Sequence, residues 1–257
     1  MSAFHHFFGK PSSAQAGAGR ATKMSEIVSG CLFDIDATIG ASYDGSGQVL
    51  NDLEGNTNWQ LGSTSGVSTD DPTFNGSANS PAAYFSTDGF DTITPSAVTA
   101  KLAEMHKGDN DWTYAVAGRT PASGTQSLLR TGANPGLALG WDAAATRVRS
   151  LQLGDTGITS GNFAATLAAN TEFLVFLSYN SATNQTTGWI NSVTGTSVAH
   201  TFNASAVNAT SASTFGATGS TSGARWKASA LYPRVLSNDD VALLVAHYNL
   251  RHGVTYA

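Results

Sequence analysis

In the stretch FDID, Asp34 and Asp36 stand two residues apart. On a strand that spacing puts both carboxylates on one face, about 6.6–7 Å apart, within reach of a shared divalent cation. Asp70 and Asp71 are a second pair of hard oxygen donors. A calcium ion takes about 6–8 oxygens, usually from an oxygen-rich loop, and no loop of that spacing accompanies either pair. The expectation is therefore an exposed strand face or a turn cap, with no metal and no cofactor. The six histidines are His5, His6, His106, His200, His247 and His252. None sits in H-E-x-x-H, and the separation of His247 and His252 turns their rings to different faces of a helix. His5 and His6 could chelate weakly, but a metal site normally needs about three or four ligands. With Phe4, Phe7 and Phe8 they read instead as an aromatic docking tip. Cys31 is the one cysteine, which excludes an internal disulfide framework and a cysteine-rich zinc site. The G-x-S-x-G elbow, G-x-G-x-x-G and the phosphate loop are absent.

Five tryptophans remain. A sugar ring stacks on an exposed indole flanked by amide and carboxylate groups, and Trp59 in NTNWQ and Trp189 in GWINS have such neighbours. They are the candidate glycan-binding residues. Trp112 and Trp226 lie in alternating strand patterns and read as core.

Composition bounds what can position these residues. Charged residues are 12% of the 257, about half of the usual ~25%, so the polar surface must come from Ser, Thr, Asn and Gly. That is a β-rich, turn-rich balance. A net charge of −5 disfavours nonspecific nucleic-acid binding, which needs a basic face. No run approaches the ~18 apolar residues of a membrane span. FHHFFG is too short and too interrupted for the apolar core of a signal peptide, so maturation without export is expected. Asn-x-Ser/Thr triplets begin at Asn75, Asn184, Asn203 and Asn208, as chance allows in so Ser/Thr-rich a chain.

Residues 1–24 hold no acidic residue and few apolar ones beyond the aromatic tip. They cannot bury enough surface to fold alone. We read 1–25 as an extended N-terminal attachment arm, able to reach up to ~80 Å, and 26–257 as the folded domain. From Ile27 onward short apolar runs alternate with Gly/Asn/Asp/Ser punctuation, the pattern of a sandwich or barrel. Strands are expected over 27–35, 82–86, 111–119, 126–132, 136–142, 147–154, 172–180, 186–192, 197–202, 213–218 and 225–234. The 172–180 strand is apolar on both faces and should be covered on both sides. Two helices are expected. One spans 94–108, with Thr94 as cap, Pro95 first and Gly108 as stop. The other spans 236–253, with Ser237 and Asp240 as a capping box, an apolar stripe through Val241, Leu244, Val245 and Tyr248, and Gly253 closing it.

This order of elements resembles the concanavalin A-like lectin/glucanase (laminin-G-like) jelly roll. YDGSGQVLNDLEGNTNWQLG resembles its Asp- and Gly-rich opening, and FLVFLSYNSATNQTTGWINS its long central hairpin. KASALYPRVLSNDDVALLVAHY resembles the closing strand and helix, with Tyr232, Arg234, Leu236, Ser237 and Asp240 in register. The resemblance covers roughly 30–253 and implies an all-β, two-sheet antiparallel jelly-roll sandwich with a C-terminal amphipathic helix. It is a fold frequent in carbohydrate-binding modules and phage virion proteins. The glucanase branch catalyses from a Glu-x-Asp-x-Glu strand. The four glutamates here (Glu26, Glu54, Glu104, Glu172) form no such triplet, so no catalytic residue and no enzyme is expected. The leading expectation is a structural virion protein, a head decoration or fibre subunit. Its arm, anchored by Phe4, His5, His6, Phe7 and Phe8, would hold it to other capsid proteins in an oligomer or lattice. The alternative is a carbohydrate-binding module or adhesin using Trp59 and Trp189. Neither involves nucleic acid or a membrane.

Overall fold

The structure is a computed structural model and describes residues 23–256, apart from 88–90, 155–156 and 219–222. The first sheet runs through β14 (Thr196–Ala199), β13 (Gln185–Ile190), β12 (Glu172–Asn180), β7 (Trp112–Arg119), β16 (Arg225–Tyr232), β5 (Tyr84–Ser86) and β4 (Thr73–Asn75). On β16, β1 (Phe33–Asp36) also pairs, alongside β5. The second sheet runs through β11 (Gly157–Thr166), β10 (Arg147–Gly154), β9 (Gly136–Asp142), β8 (Thr125–Thr131), β15 (Ser213–Thr218), β6 (Ile93–Pro95), β3 (Trp59–Leu61) and β2 (Val49–Leu50). The ladders between these strands are antiparallel. The expected two-sheet sandwich is therefore present.

The two sheets face each other across a core of Trp59, Trp112, Trp141, Trp226, Tyr114, Phe163 and Phe173, among others. The first sheet is covered again on its other side. There α1 (Met24–Ile27) and α3 (Asn238–His252) set Met24, Val241, Leu244 and Tyr248 against Leu174, Phe176, Trp189 and Tyr232. On that face the centres of β7 and β16 carry methyls: Ala115 lies opposite Ala230, and Ala117 opposite Ala228. A floor this shallow lets a helix settle close to the sheet. Double cover explains why seven of the nine residues of β12 are buried. By contrast β10 alternates strictly between buried and half-buried, because no layer among the described residues covers the outer face of the second sheet.

Helix α3 forms as its sequence dictates. Ser237 Oγ accepts from Asp240 N at 3.1 Å, Asp240 Oδ2 accepts from Ser237 N at 3.1 Å, and Gly253 adopts φ 62°. The 94–108 helix does not. Trp59 pairs with Pro95 and Gln60 with Thr94, so the sheet claims 93–95, and only α2 (Ala100–Glu104) is helical, capped by Thr99. The 27–35 strand also starts late, at Phe33, because Met24–Ile27 coils into α1 and Gly30 turns the chain at φ 89°. Met24 is fully buried and Ser25 Oγ donates to Glu54 Oε2 at 2.6 Å. Residues 24 and 25, assigned above to the arm, are thus part of the packed body.

Candidate functional site

The structure places the sequence-derived candidates away from solvent. Trp59 is 0% exposed, with its ring 4.9 Å from that of Phe33. Trp189 is 3% exposed beneath α3, its Nε1 donating to Asn238 Oδ1 at 2.7 Å. Neither can offer a face to a sugar, which corrects the expectation. Their Asn-rich flanks marked turns, while the indoles themselves fill layers of the body. Phe4, His5, His6, Phe7 and Phe8 lie outside the described residues.

Asp34 and Asp36 do share a face, but an interior one, and both are fully buried rather than exposed. Arg251 Nη1 donates to Asp34 Oδ1 at 3.3 Å and to Asp36 Oδ2 at 3.1 Å. With Asp36 ionised, His252 Nε2 donates to its Oδ2 at 3.1 Å. Asp36 Oδ1 also accepts from Thr38 N at 2.7 Å, so the expected turn cap is present. Burial pushes the Asp34 pKa up to about 6 against the pull of Arg251. Burial works in the same direction on Asp36, but His252 and Arg251 outweigh it and hold that carboxyl well below the ordinary range. The chain's own cations occupy this pair, and it ties α3 to β1.

An accessible site exists on the outer face of the second sheet. In RVRSLQLG (β10), Val148, Ser150 and Gln152 point inward while Arg147, Arg149, Leu151 and Leu153 lie on the open side. Across the neighbouring strand, β9, Arg149 pairs with Gly140 and Leu151 with Ala138, two residues too small to fill the surface. On the far side of β9, β8 supplies Thr125, Ser127 and Arg130, with Arg130 opposite Ala138. Arg130 faces outward because a bulge between Ser127 and Leu129 shifts the alternation by one residue. The carbonyl of the extra residue, Leu128, is held from inside by Tyr114 Oη at 2.9 Å and Thr214 Oγ1 at 2.8 Å.

The result is an open groove of about 170 Å³ with Ala138 and Gly140 as floor and Arg130, Arg149 and Leu151 as walls. Leu153 joins it to a further hollow of about 120 Å³ beside Asn134 and Ile158, the latter 69% exposed. The track offers hydroxyl and guanidinium donors at one end and branched aliphatic surface at the other. No carboxylate lines it among the described residues; Asp142, at the end of β9, lies beside it with Oδ2 3.5 Å from Arg149 Nη1. A larger hollow of about 400 Å³ sits at the sandwich rim, lined by Lys107, Asp109, Asn184, Phe202 and Ser205. Its Phe202 is already stacked on Tyr179, ring centroids 3.8 Å apart. Sequence reasoning missed the groove, although the strict alternation of RVRSLQLG was a signal for one open face.

No protein-family model matches the sequence, and no curated protein matches it. Solved structures do resemble it. One is botulinum neurotoxin type C, whose cell entry is described as dependent on interaction with two ganglioside molecules (TM-score 0.61, 12% identity, 89% of this chain and 53% of that one). Another is the binding domain of botulinum neurotoxin DC in complex with SialylT (TM-score 0.60, 11% identity, 88% and 52%). A third is Trypanosoma rangeli sialidase in complex with sialic acid (TM-score 0.56, 15% identity, 84% and 33%). The chain spans about half the length of these toxin chains and a third of the sialidase. At such identities the likeness is one of fold alone, a two-sheet β-sandwich.

Proposed function

We propose that the protein is a carbohydrate-binding module whose site is the groove over β8, β9 and β10. One observation carries this reading: on a single uncovered sheet face, hydrogen-bond donors (Arg130, Arg149, Ser127) converge beside aliphatic surface (Leu151, Leu153) over a floor of Ala138 and Gly140. A pyranose needs both, since its hydroxyls ring a body with apolar C–H faces. The fold shared with toxin binding domains and a sialidase supports the reading in kind. Binding without hydrolysis is the form proposed. Retaining cleavage takes two carboxyl groups about 5–5.5 Å apart, and no carboxylate among the described residues lines the groove. The virion role has no such support. Residues 1–22 of its arm lie outside the described chain, and the structures named above are toxins and a sialidase.

A glycan array probed with the purified protein tests the reading. Binding is expected, and Ala138→Phe, which stands a ring on the groove floor at a strand position tolerant of aromatics, should abolish it without lowering Tm. An array with no binder, or undiminished binding by Ala138→Phe, would overturn the assignment.

A further inference from the structure

The charges on the second sheet are unlike those of the rest of the chain. Its eight strands contain four charged residues in all: Arg130, Asp142, Arg147 and Arg149. In a protein of net charge −5, this face carries three arginines against one aspartate. Only Arg149 has a carboxylate partner among the described residues, Asp142 at 3.5 Å, and that pair is open to solvent at 30% and 19% exposure. Arg130 spends its Nε on Gly132 O at 3.2 Å, and no carboxylate among the described residues meets its terminal nitrogens. Arg147 Nε is buried with no hydrogen-bond partner among the described residues.

Position adds to this. Arg130 and Arg149 flank β9 from opposite sides, opposite Ala138 and Gly140 respectively. With strands about 4.8 Å apart and a two-residue stagger, their Cα atoms stand about 12 Å apart across the floor. Two extended guanidinium groups span such a gap onto one ligand. The planar fork of arginine suits a carboxylate, which it grips through two parallel hydrogen bonds.

We propose that the groove selects anionic glycans, carrying a carboxylate on the sugar ring, through Arg130 and Arg149. The sugar ring lies over Ala138 and Gly140, its carboxylate meets the arginines, and the next residue runs toward Leu153 and Ile158. The inference rests on the glycan-binding reading and narrows it to a ligand class. A terminal sialic acid and a uronic acid share this chemistry.

Isothermal titration of the full chain with 3′-sialyllactose, an oligogalacturonate, neutral lactose and cellohexaose distinguishes the cases. At least one acidic ligand should bind about 10-fold or more tighter than the neutral ones, the worth of one charge-assisted hydrogen bond. Which acidic ligand binds separates the sialic from the uronic source. Arg130→Gln and Arg149→Gln should each remove most of that preference, lowering acidic-ligand affinity by a larger factor than neutral-ligand affinity, with Tm unchanged. Should either variant fold poorly, the wild type serves. Its acidic-ligand affinity should fall as ionic strength rises from about 0.01 to about 1 M, where the screening length shrinks from about 30 to about 3 Å. Equal binding of neutral and acidic sugars, or acidic binding indifferent to salt and to both substitutions, would overturn the inference and leave the glycan reading standing. Binding of no sugar of either kind would overturn both.

Discussion

Arg251 holds two buried carboxylates at once, and His252 shares one of them. Removing a single partner from such a cluster leaves charge in the interior without compensation, which costs far more than the intact pair contributes. Arg251→Met should therefore destabilise the protein by about 3–5 kcal/mol, read as a lower urea midpoint at unchanged slope. Loss under about 1 kcal/mol would mean that water reaches the site. From FDID alone the shared face of Asp34 and Asp36 was legible, since strand alternation is local. Their burial was not, because the residues that neutralise them lie 215 and more positions away. The tryptophans show the same limit: flanking residues report turns, and the depth of an indole is set by other strands.

Elements whose periodicity is self-contained were readable to the residue. The strands 136–142, 147–154, 172–180 and 213–218 have the boundaries the alternation predicts, and α3 has its caps. Elements that exist because something pairs with them were not. The ten residues of β11 contain two glycines and little apolar pattern, and become a strand by lying along β10. The bulge in β8 belongs to this class, although its adjacent buried leucines, Leu128 and Leu129, are its trace in the sequence. Since Tyr114 holds the bulge carbonyl, Tyr114→Phe should cost about 1–2 kcal/mol through a weakened buried hydrogen bond. It should also weaken groove binding without any contact to the ligand, because Arg130 loses its fixed direction. Thermal melts and titration of the same variant check both effects, and an unchanged affinity would show that Arg130 is aimed by other means.

At the scale of the whole molecule, stability and binding are segregated. The first sheet is covered on both faces over its central strands and carries Asp34 and Asp36, while the second, among the described residues, turns one face outward. Acid should act on the interior. His200 and His247 are pushed down to about 4, chiefly by burial. Their neutral forms contribute stability that is complete above the ordinary histidine pKa of about 6.5 and is lost as pH falls toward 4. Asp34, pushed up to about 6, works the other way and regains stability over the same interval. Asp36, held low, loses its share only below the ordinary carboxylate pKa of about 4. Two histidines outweigh one aspartate, so Tm should decline from pH 6.5 to 4.5 and more steeply below 4. His200→Gln, which keeps partners for Thr186 and Thr159, should flatten the upper part of that decline; a wild-type Tm constant down to pH 4.5 would contradict this account.

The tie between β1 and α3 also bears on synthesis. Strand β1 emerges from the ribosome early, carrying two carboxylates that the interior accepts only once Arg251 and His252 have been made. Its partner strand β16 is likewise made late, so β1 docks only near the end of synthesis. Asp34 and Arg251 are separated by 217 positions. The tie that seats α3 on β1 is thus among the last contacts the chain can make.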